Sequence, residues 1–306
     1  MVEIGVIGGG SIGLLLAGYL CKAGFNVTIY TTTKEQAMQL NRNGLTIQIG
    51  RENLNYSIKG IPYSEVKQFN DDYLFIAVKQ YHLKQVIPSL GLRLGKVTSI
   101  IFMQNGMGHL KYFDKLRPKV KNVLVAIVEH GALKQAASIV RHTGVGEMKI
   151  GYVQNGEHDS EAVWDSLTAI GFLTNVYGDW LEIMERKLLV NAVINPLTAI
   201  FKVRNGMLVE NKYYLQLMRQ LFDEISCVIK CNNSDWKRII EICKQTRANR
   251  SSMLRDIEEG RVTEIDAITG IILEKGKIQK QSLPLNDFIL KSVKGMENEE
   301  RRGTSE

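Results

Sequence analysis

A chain of 306 residues is long enough for two domains, and 44% hydrophobic content can fill substantial cores, which excludes a disordered or fibrous protein. The net charge of +7, from 39 basic and 32 acidic residues, suits anionic ligands; no dense Lys/Arg run with interleaved aromatics is present, so nucleic-acid binding is not expected. Cys21, Cys227, Cys231 and Cys243 form no CxxC pair and histidine is scarce, so no metal site is expected and the cysteines read as free thiols in a reducing cytoplasm.

The N-terminal run IGVIGGGSIGLLLAGYLC, residues 4–21, carries no charge. A signal peptide needs a basic segment before its apolar core, and only Met1, Val2 and Glu3 precede this one. Its glycines divide it into a short strand, a turn and the start of a helix. No other span approaches ~20 apolar residues, so no membrane segment is expected.

Further along, EIGVIG, FNVTIY, YLFIAV, TSIIFM and NVLVAIV are short, β-branched and nearly free of polar residues, as buried parallel strands are. The helical patterns SIGLLLAGYLCKAG, KEQAMQLNRNG, HLKQVIPSL and GHLKYFDKL lie among them. This alternation predicts βαβ units and an open parallel sheet of Rossmann type. GLTIQIG and LNYSIKG read as a hairpin added to that sheet, and SIVRHTG with EMKIGYV as another pair. After about residue 178 the strand signals fade. GDWLEIMERKLLVNAVINPLTAI, YYLQLMRQLFDEISCVIKC, SDWKRIIEICKQT, TEIDAITGIILEKGK and LNDFILKSVKGM all carry helical periodicity. The expected fold class is therefore α/β: a nucleotide-binding domain over residues 1–177, then an all-helical domain over 178–306. The final ENEERRGTSE reads as a frayed tail.

The first strand runs into Gly8, Gly9, Gly10, Ser11, Ile12 and Gly13, a G-x-G-x-x-G turn that opens a helix. Gly8 permits the tight turn, Gly10 lets backbone approach a pyrophosphate, and Gly13 lets helix and strand pack closely. The helix N-terminus adds unpaired N–H groups and a dipole that favours an anion. Alone the motif is weak, but here it has its strand, turn and helix within 30 residues, so a dinucleotide site is expected. An NAD site usually has a carboxylate after the second strand, whereas this chain has Thr31, Thr32, Thr33 and Lys34. Hydroxyls and a lysine suit a 2′-phosphate, which favours NADP(H), although Lys34 also fits an ordinary surface lysine.

In KLLVNAVINPLTAI, Lys187, Asn191 and Asn195 recur every four residues on an apolar helix. Positions four apart stack within roughly 40° of each other, so the three form one polar stripe. Such a stripe can line a ligand cleft: Lys187 can give a proton to a carbonyl oxygen as hydride arrives, and the two amides can fix hydroxyl and carboxylate groups. A solvent-facing strip fits the same pattern. Asn105, in QNGMGH, follows a strand at the end where ligands meet open α/β sheets. NRSSML presents Asn249, Ser251 and Ser252 before a helical stretch. Glu264, in RVTEIDAITG, lies near a helix start, where stabilisation of the helix dipole would alone account for it.

Together GGGSIG, QNGMG, EHGA, KLLVNAVINPLTA, NRSSML and TEIDAITG resemble the ketopantoate reductase family, in family order from residue 5 to about 270. The resemblance implies a Rossmann domain, a helical C-terminal domain, and NADPH-dependent reduction of 2-dehydropantoate to (R)-pantoate on the route to pantothenate and coenzyme A. It makes Lys187 the proton donor and places Glu264 beside the cofactor and that lysine. Asn191, Asn195, Asn205 and Ser252 would bind the substrate, with Asn249 close by. Asn105 would touch both cofactor and substrate, Ala132 of EHGA would bring backbone near the nicotinamide, and Lys79 would lie near the adenosine end. The family often has an arginine after the second strand, where this chain has threonines and Lys34. Family members occur as monomers and dimers, so a homodimer stays open. The competing readings are a related two-domain hydroxy-acid dehydrogenase and a non-catalytic NADPH-binding sensor.

Overall fold

The computed structural model describes residues 2–154 and 161–303, with side chains left aside at Glu161 and residues 300–303. The chain divides into two compact units, one of residues 2–104 and 109–183, the other of 105–108 and 184–303.

The first unit alternates strands and helices. In chain order these are β1 (Glu3–Ile7), α1 (Ser11–Lys22), β2 (Asn26–Thr31), α2 (Lys34–Asn43), β3 (Leu45–Ile49), β4 (Glu52–Tyr56), β5 (Lys59–Pro62) and β6 (Tyr73–Ile76). They continue with α3 (Leu83–Leu90), β7 (Ser99–Phe102), α4 (Phe113–Leu116), β8 (Asn122–Val128), β9 (Gly131–Ala136), β10 (Ile139–Gly144), β11 (Met148–Gln154), α5 (Glu161–Ala169) and β12 (Thr174–Tyr177). The main sheet has the order β12-β11-β8-β7-β6-β1-β2-β5. Every pairing in it is parallel except that of β11 with β8. β1 lies between β6 and β2, so the connections leave it in opposite directions, and its carboxyl end is the switch point where open sheets bind ligands.

The five apolar runs read as buried strands form β1, β2, β6, β7 and β8, and residues such as Ile4, Phe75, Ile101 and Leu124 are fully buried. The two hairpins differ from expectation. β3 and β4 do not extend the main sheet: they join β9 and β10 in a second sheet ordered β4-β3-β10-β9. SIVRHTG and EMKIGYV do not pair with each other either, because β10 pairs with β3 and β9 while β11 pairs with β8 and β12. The second sheet covers α1, and there a Cβ at Gly18 would come within 2.2 Å of Ile47 Cδ1. Helix and small sheet thus meet at a distance only glycine permits.

α6 (Trp180–Phe201) starts in the first unit, where Trp180 packs on Gly151 and stacks edge-on against Phe113. The second unit holds the rest of α6, then α7 (Met207–Glu210), α8 (Lys212–Ser226), α9 (Asn233–Gln245), α10 (Ser252–Glu258), α11 (Ile265–Ile278) and α12 (Pro284–Gly303). Leu188, Val193 and Ala199 of α6 are fully buried, as befits a helix apolar on nearly every side. Side chains fix the helix starts. Asn211 caps α8, Asn232 and Asp235 form a capping box on α9, and Ser251 caps α10. Glu224 of α8 accepts from the N–H groups of Leu285 and Asn286 and from the Asn286 amide, closing the start of α12. α12 runs to Gly303, so most of the segment expected to fray is helical; residues 304–306 lie outside the described ones. Among the described residues no helix is long and apolar enough to cross a membrane.

Candidate active site

In the first unit the glycine turn sits at the end of β1. Gly8 has φ of +115°, and a Cβ there would stand 3.0 Å from the backbone of Ala77 and Val78. A Cβ at Gly13 would fall 2.0 Å from Gly8 O, so only glycine lets α1 close onto the turn. Gly10 is different: among the described residues nothing lies within 4 Å of where its Cβ would be. It is also the N-cap of α1, and no side chain caps that helix. Open space and uncapped N–H groups at a helix start fit a dinucleotide pyrophosphate, with half-buried Ser11 and Ile12 forming the first turn.

At the end of β2 Thr31 is fully buried and its hydroxyl donates to Thr33 O across 2.7 Å. The Thr33 hydroxyl accepts from Gln36 N and caps α2, while Thr32 is exposed. The exposed Lys34 ammonium pairs with Glu65 at 2.7 Å, and this pairing raises its pKa. Lys79 is half-buried, just past the end of β6. Ala132 is half-buried in β9 opposite His142.

Around Ala132 lies a buried histidine cluster that the sequence did not announce. The Tyr19 hydroxyl donates to His142 Nδ1 at 2.8 Å, and His142 Nε2 faces Gly144 O at 2.8 Å and His130 Nδ1 at 3.2 Å. Gly146 N–H donates to that same His130 Nδ1, and the His130 ring stacks on Phe172 at 4.0 Å. Burial, then the neighbouring His142, pushes the His130 pKa down to about 4. His109, bonded to Gln80 and stacked on Phe102, is pushed by burial to about 3. Both rings are therefore neutral near pH 7.

In the second unit the turn carrying Asn105 docks on the start of α11. Asn105 Nδ2 donates to Glu264 Oε2 at 3.1 Å, and Met107 N–H donates to Ala267 O. Gly106 has φ of +74°, and a Cβ there would meet Ala267 O at 2.1 Å. Glu264, 7% exposed, occupies the N-cap of α11 without capping the helix through its side chain. Its carboxylate faces Asn105 instead of the helix amides.

The polar stripe lies on α6. Lys187 is half-buried, and Asn191 and Asn195 are each 8% exposed. Among the described residues neither carboxamide has a hydrogen-bond partner, and at 8% exposure each still reaches the surface. Farther along, Thr198 donates to Ser251 Oγ at 2.8 Å and ties the NRSSML loop to the same helix. Ser251 Oγ also accepts from Leu254 N–H and so is a buried cap, while its neighbour Ser252 is exposed at the first turn of α10. Asn205 N–H donates to Asn249 O, and its amide donates to Thr246 Oγ1. Asn205 Oδ1 is buried with no partner among the described residues; the Asn249 side chain is exposed.

The structure thus joins Asn105 to Glu264 and Asn205 to Asn249, and anchors the loop of Ser252 to the helix of Lys187, Asn191 and Asn195. It fastens Lys34 to Glu65. Three further residues bear on the turns. Gln104 donates to Ile76 O and Val78 O, and both Gln36 and Lys134 donate to Gly9 O. Gln104 opens the QNGMG motif without having been singled out in it, and Gln36 and Lys134 sit in no local pattern that marks them. Among the described residues no group of three or more His, Cys, Asp or Glu is placed to hold a metal ion.

Comparison with known proteins identifies the family. Residues 4–155 match the family described as ketopantoate reductase PanE/ApbA, and residues 179–297 match its C-terminal part. The chain is 37% identical over 300 residues to the 2-dehydropantoate 2-reductase of Bacillus subtilis (strain 168), covering 97% of this chain and 98% of that one. The crystal structure of probable 2-dehydropantoate 2-reductase panE from Bacillus subtilis superposes with a TM-score of 0.83 at 35% identity, over 96% of this chain and 100% of that one. D-mandelate dehydrogenase, solved in a ternary complex with NADH and anilino(oxo)acetate, has a TM-score of 0.87 at 22% identity over 98% of this chain and 99% of that one, a likeness of fold alone. The chain belongs to the ketopantoate reductase family of oxidoreductases.

Proposed function

We propose that the protein reduces the ketone of 2-dehydropantoate to the alcohol of (R)-pantoate, with NADPH as reductant, on the route to pantothenate and coenzyme A. Residues 1–177 act as the nucleotide-binding domain and residues 178–306 as the helical substrate domain. When bound, NADPH supplies a hydride to the carbonyl carbon. The matching proton comes from the Lys187 ammonium, a donor of the kind that contributes about 10²–10⁴-fold when positioned.

The observation that carries this reading is the pair Asn191 and Asn195, two buried carboxamides on the edge of Lys187 that no described residue satisfies. A hydroxylated keto acid offers the donors and acceptors they lack. Asn205, through its unpartnered Oδ1, and Ser252 serve other oxygens of the same substrate, with Asn249 close by. Asn105 spans cofactor and substrate, and its bond to Glu264 fixes the carboxylate that faces Lys187 during proton transfer. Gly8 to Gly13 cradle the pyrophosphate, Thr32 and Lys34 lie toward the adenosine ribose, Lys79 toward the adenosine end, and Ala132 backbone toward the nicotinamide.

The test is loss of NADPH absorbance on adding 2-dehydropantoate, compared with other 2-keto acids and with NADH. Rapid oxidation with 2-dehydropantoate and NADPH supports the proposal. Preference for another keto acid favours a related hydroxy-acid dehydrogenase, and NADPH binding without oxidation favours a sensor.

A further inference from the structure

The polar groups at the end of β2 are already engaged within the fold. Lys34 is engaged by Glu65, Thr31 is buried in a local bond, and the Thr33 hydroxyl is spent on capping α2. A different lysine stands at the glycine turn. Lys134 Nζ, on β9 of the second sheet, donates to Gly9 O at 2.8 Å. Gln36, in the first turn of α2, donates at 2.8 Å to that same carbonyl and also to Ala137 O. The ammonium is thereby held where the phosphate turn, the start of α2 and the β9–β10 hairpin meet. In dinucleotide folds the ribose 2′ position falls between that turn and the residues that follow the second strand.

The electrostatics agree with the geometry. Among the described residues Lys134 has no carboxylate partner, so its one described bond is to a neutral carbonyl. Partial burial pushes its pKa down, the expected effect of desolvation without a compensating charge. An arriving dianion would relieve that cost.

We infer that Lys134 is the cation that receives the adenosine 2′-phosphate and so sets the preference for NADPH over NADH in this chain. The inference rests on the NADP(H) reading above and extends it to a residue outside the segment after β2. The neutral contact with Gly9 holds the side chain in place before the coenzyme arrives, which lowers the ordering cost of binding.

The test uses the full-length protein and direct binding. NADPH and NADH are titrated by nicotinamide fluorescence, and 2′-phospho-ADP-ribose and ADP-ribose by calorimetry, against wild type, Lys134→Gln, Lys134→Arg and Lys34→Gln. Lys134→Gln is expected to weaken NADPH and 2′-phospho-ADP-ribose by about 10- to 100-fold, the range of a lost charged hydrogen bond, while NADH and ADP-ribose change by less than about threefold. Lys134→Arg is expected to retain most of the preference. Equal weakening of phosphorylated and unphosphorylated ligands, unchanged NADPH affinity, or a larger loss in Lys34→Gln would each overturn the assignment. Wild-type protein that binds neither coenzyme would instead overturn the NADP(H) reading itself.

Discussion

Asn105 Nδ2 and Glu264 Oε2 meet at 3.1 Å although the residues are 159 positions apart, one in the turn after β7 and the other at the start of α11. The Glu264 side chain makes this bond while leaving the start of α11 uncapped. A hydrogen bond to a charged group is worth about 1.5–3 kcal/mol. Replacing Asn105 by Ala, Glu264 by Ala, and both together should therefore give losses in kcat/KM that do not add. We expect a coupling of about 1 kcal/mol or more. Additive losses in steady-state kinetics would show that the two side chains act independently.

The glycines of the turn should separate folding from binding. At Gly13 an added Cβ would sit 2.0 Å from backbone, so Gly13→Ala should cost about 1–3 kcal/mol of stability. At Gly10 an added Cβ meets nothing within 4 Å, so Gly10→Ala should unfold within about 0.5 kcal/mol of wild type. If a pyrophosphate occupies that space, Gly10→Ala should nevertheless weaken NADPH. Denaturant melts with coenzyme titrations check both, and unaltered NADPH affinity in Gly10→Ala would move the pyrophosphate elsewhere.

Asn191 and Asn195 should matter for function more than for folding. Neither amide has a described partner, so replacing it by Leu gives up no protein hydrogen bond and each Leu variant should stay within about 1 kcal/mol of wild-type stability. KM for the keto acid should rise about tenfold or more in the same proteins. A marked fall in Tm with unchanged KM would assign the amides to the framework.

Acid should destabilise the first unit through its buried histidines. The folded pKa values of His130 and His109, about 4 and about 3, lie below the ordinary imidazole value of 6.5, so the unfolded chain binds more protons between those limits. Their contribution is fully present above pH 6.5 and is lost as pH falls toward 4 for His130 and 3 for His109. For His130 the linkage is on the order of 2–3 kcal/mol. Denaturant melts from pH 7 to pH 4 should show falling stability, with a shallower slope in His130→Gln. Equal slopes would remove His130 as a source.

Much of the architecture could be read locally. β-branched runs without polar residues became β1, β2, β6, β7 and β8, and the glycine turn identified the strand at the switch point. The errors were matters of pairing. β3 and β10 pair in parallel with Thr46 opposite Ile139, and nothing near either residue specifies a partner so distant in sequence. Residues legible in the candidate site were those in a repeat or motif, such as Lys187, Asn191 and Asn195. Lys134 looked like any strand lysine, and only the folded hairpin brings it to Gly9. Ser251 and Ser252 looked alike as well; in the fold Ser251 caps α10 through Leu254 N–H and is tied to Thr198, while Ser252 is exposed.

The most direct test of the account is Lys187→Ala, assayed by turnover of 2-dehydropantoate with NADPH alongside NADPH affinity. Loss of the proton donor should lower kcat by about 10²-fold or more, with the dissociation constant for NADPH within about threefold of wild type. Turnover near the wild-type rate would contradict the assignment of Lys187 as proton donor.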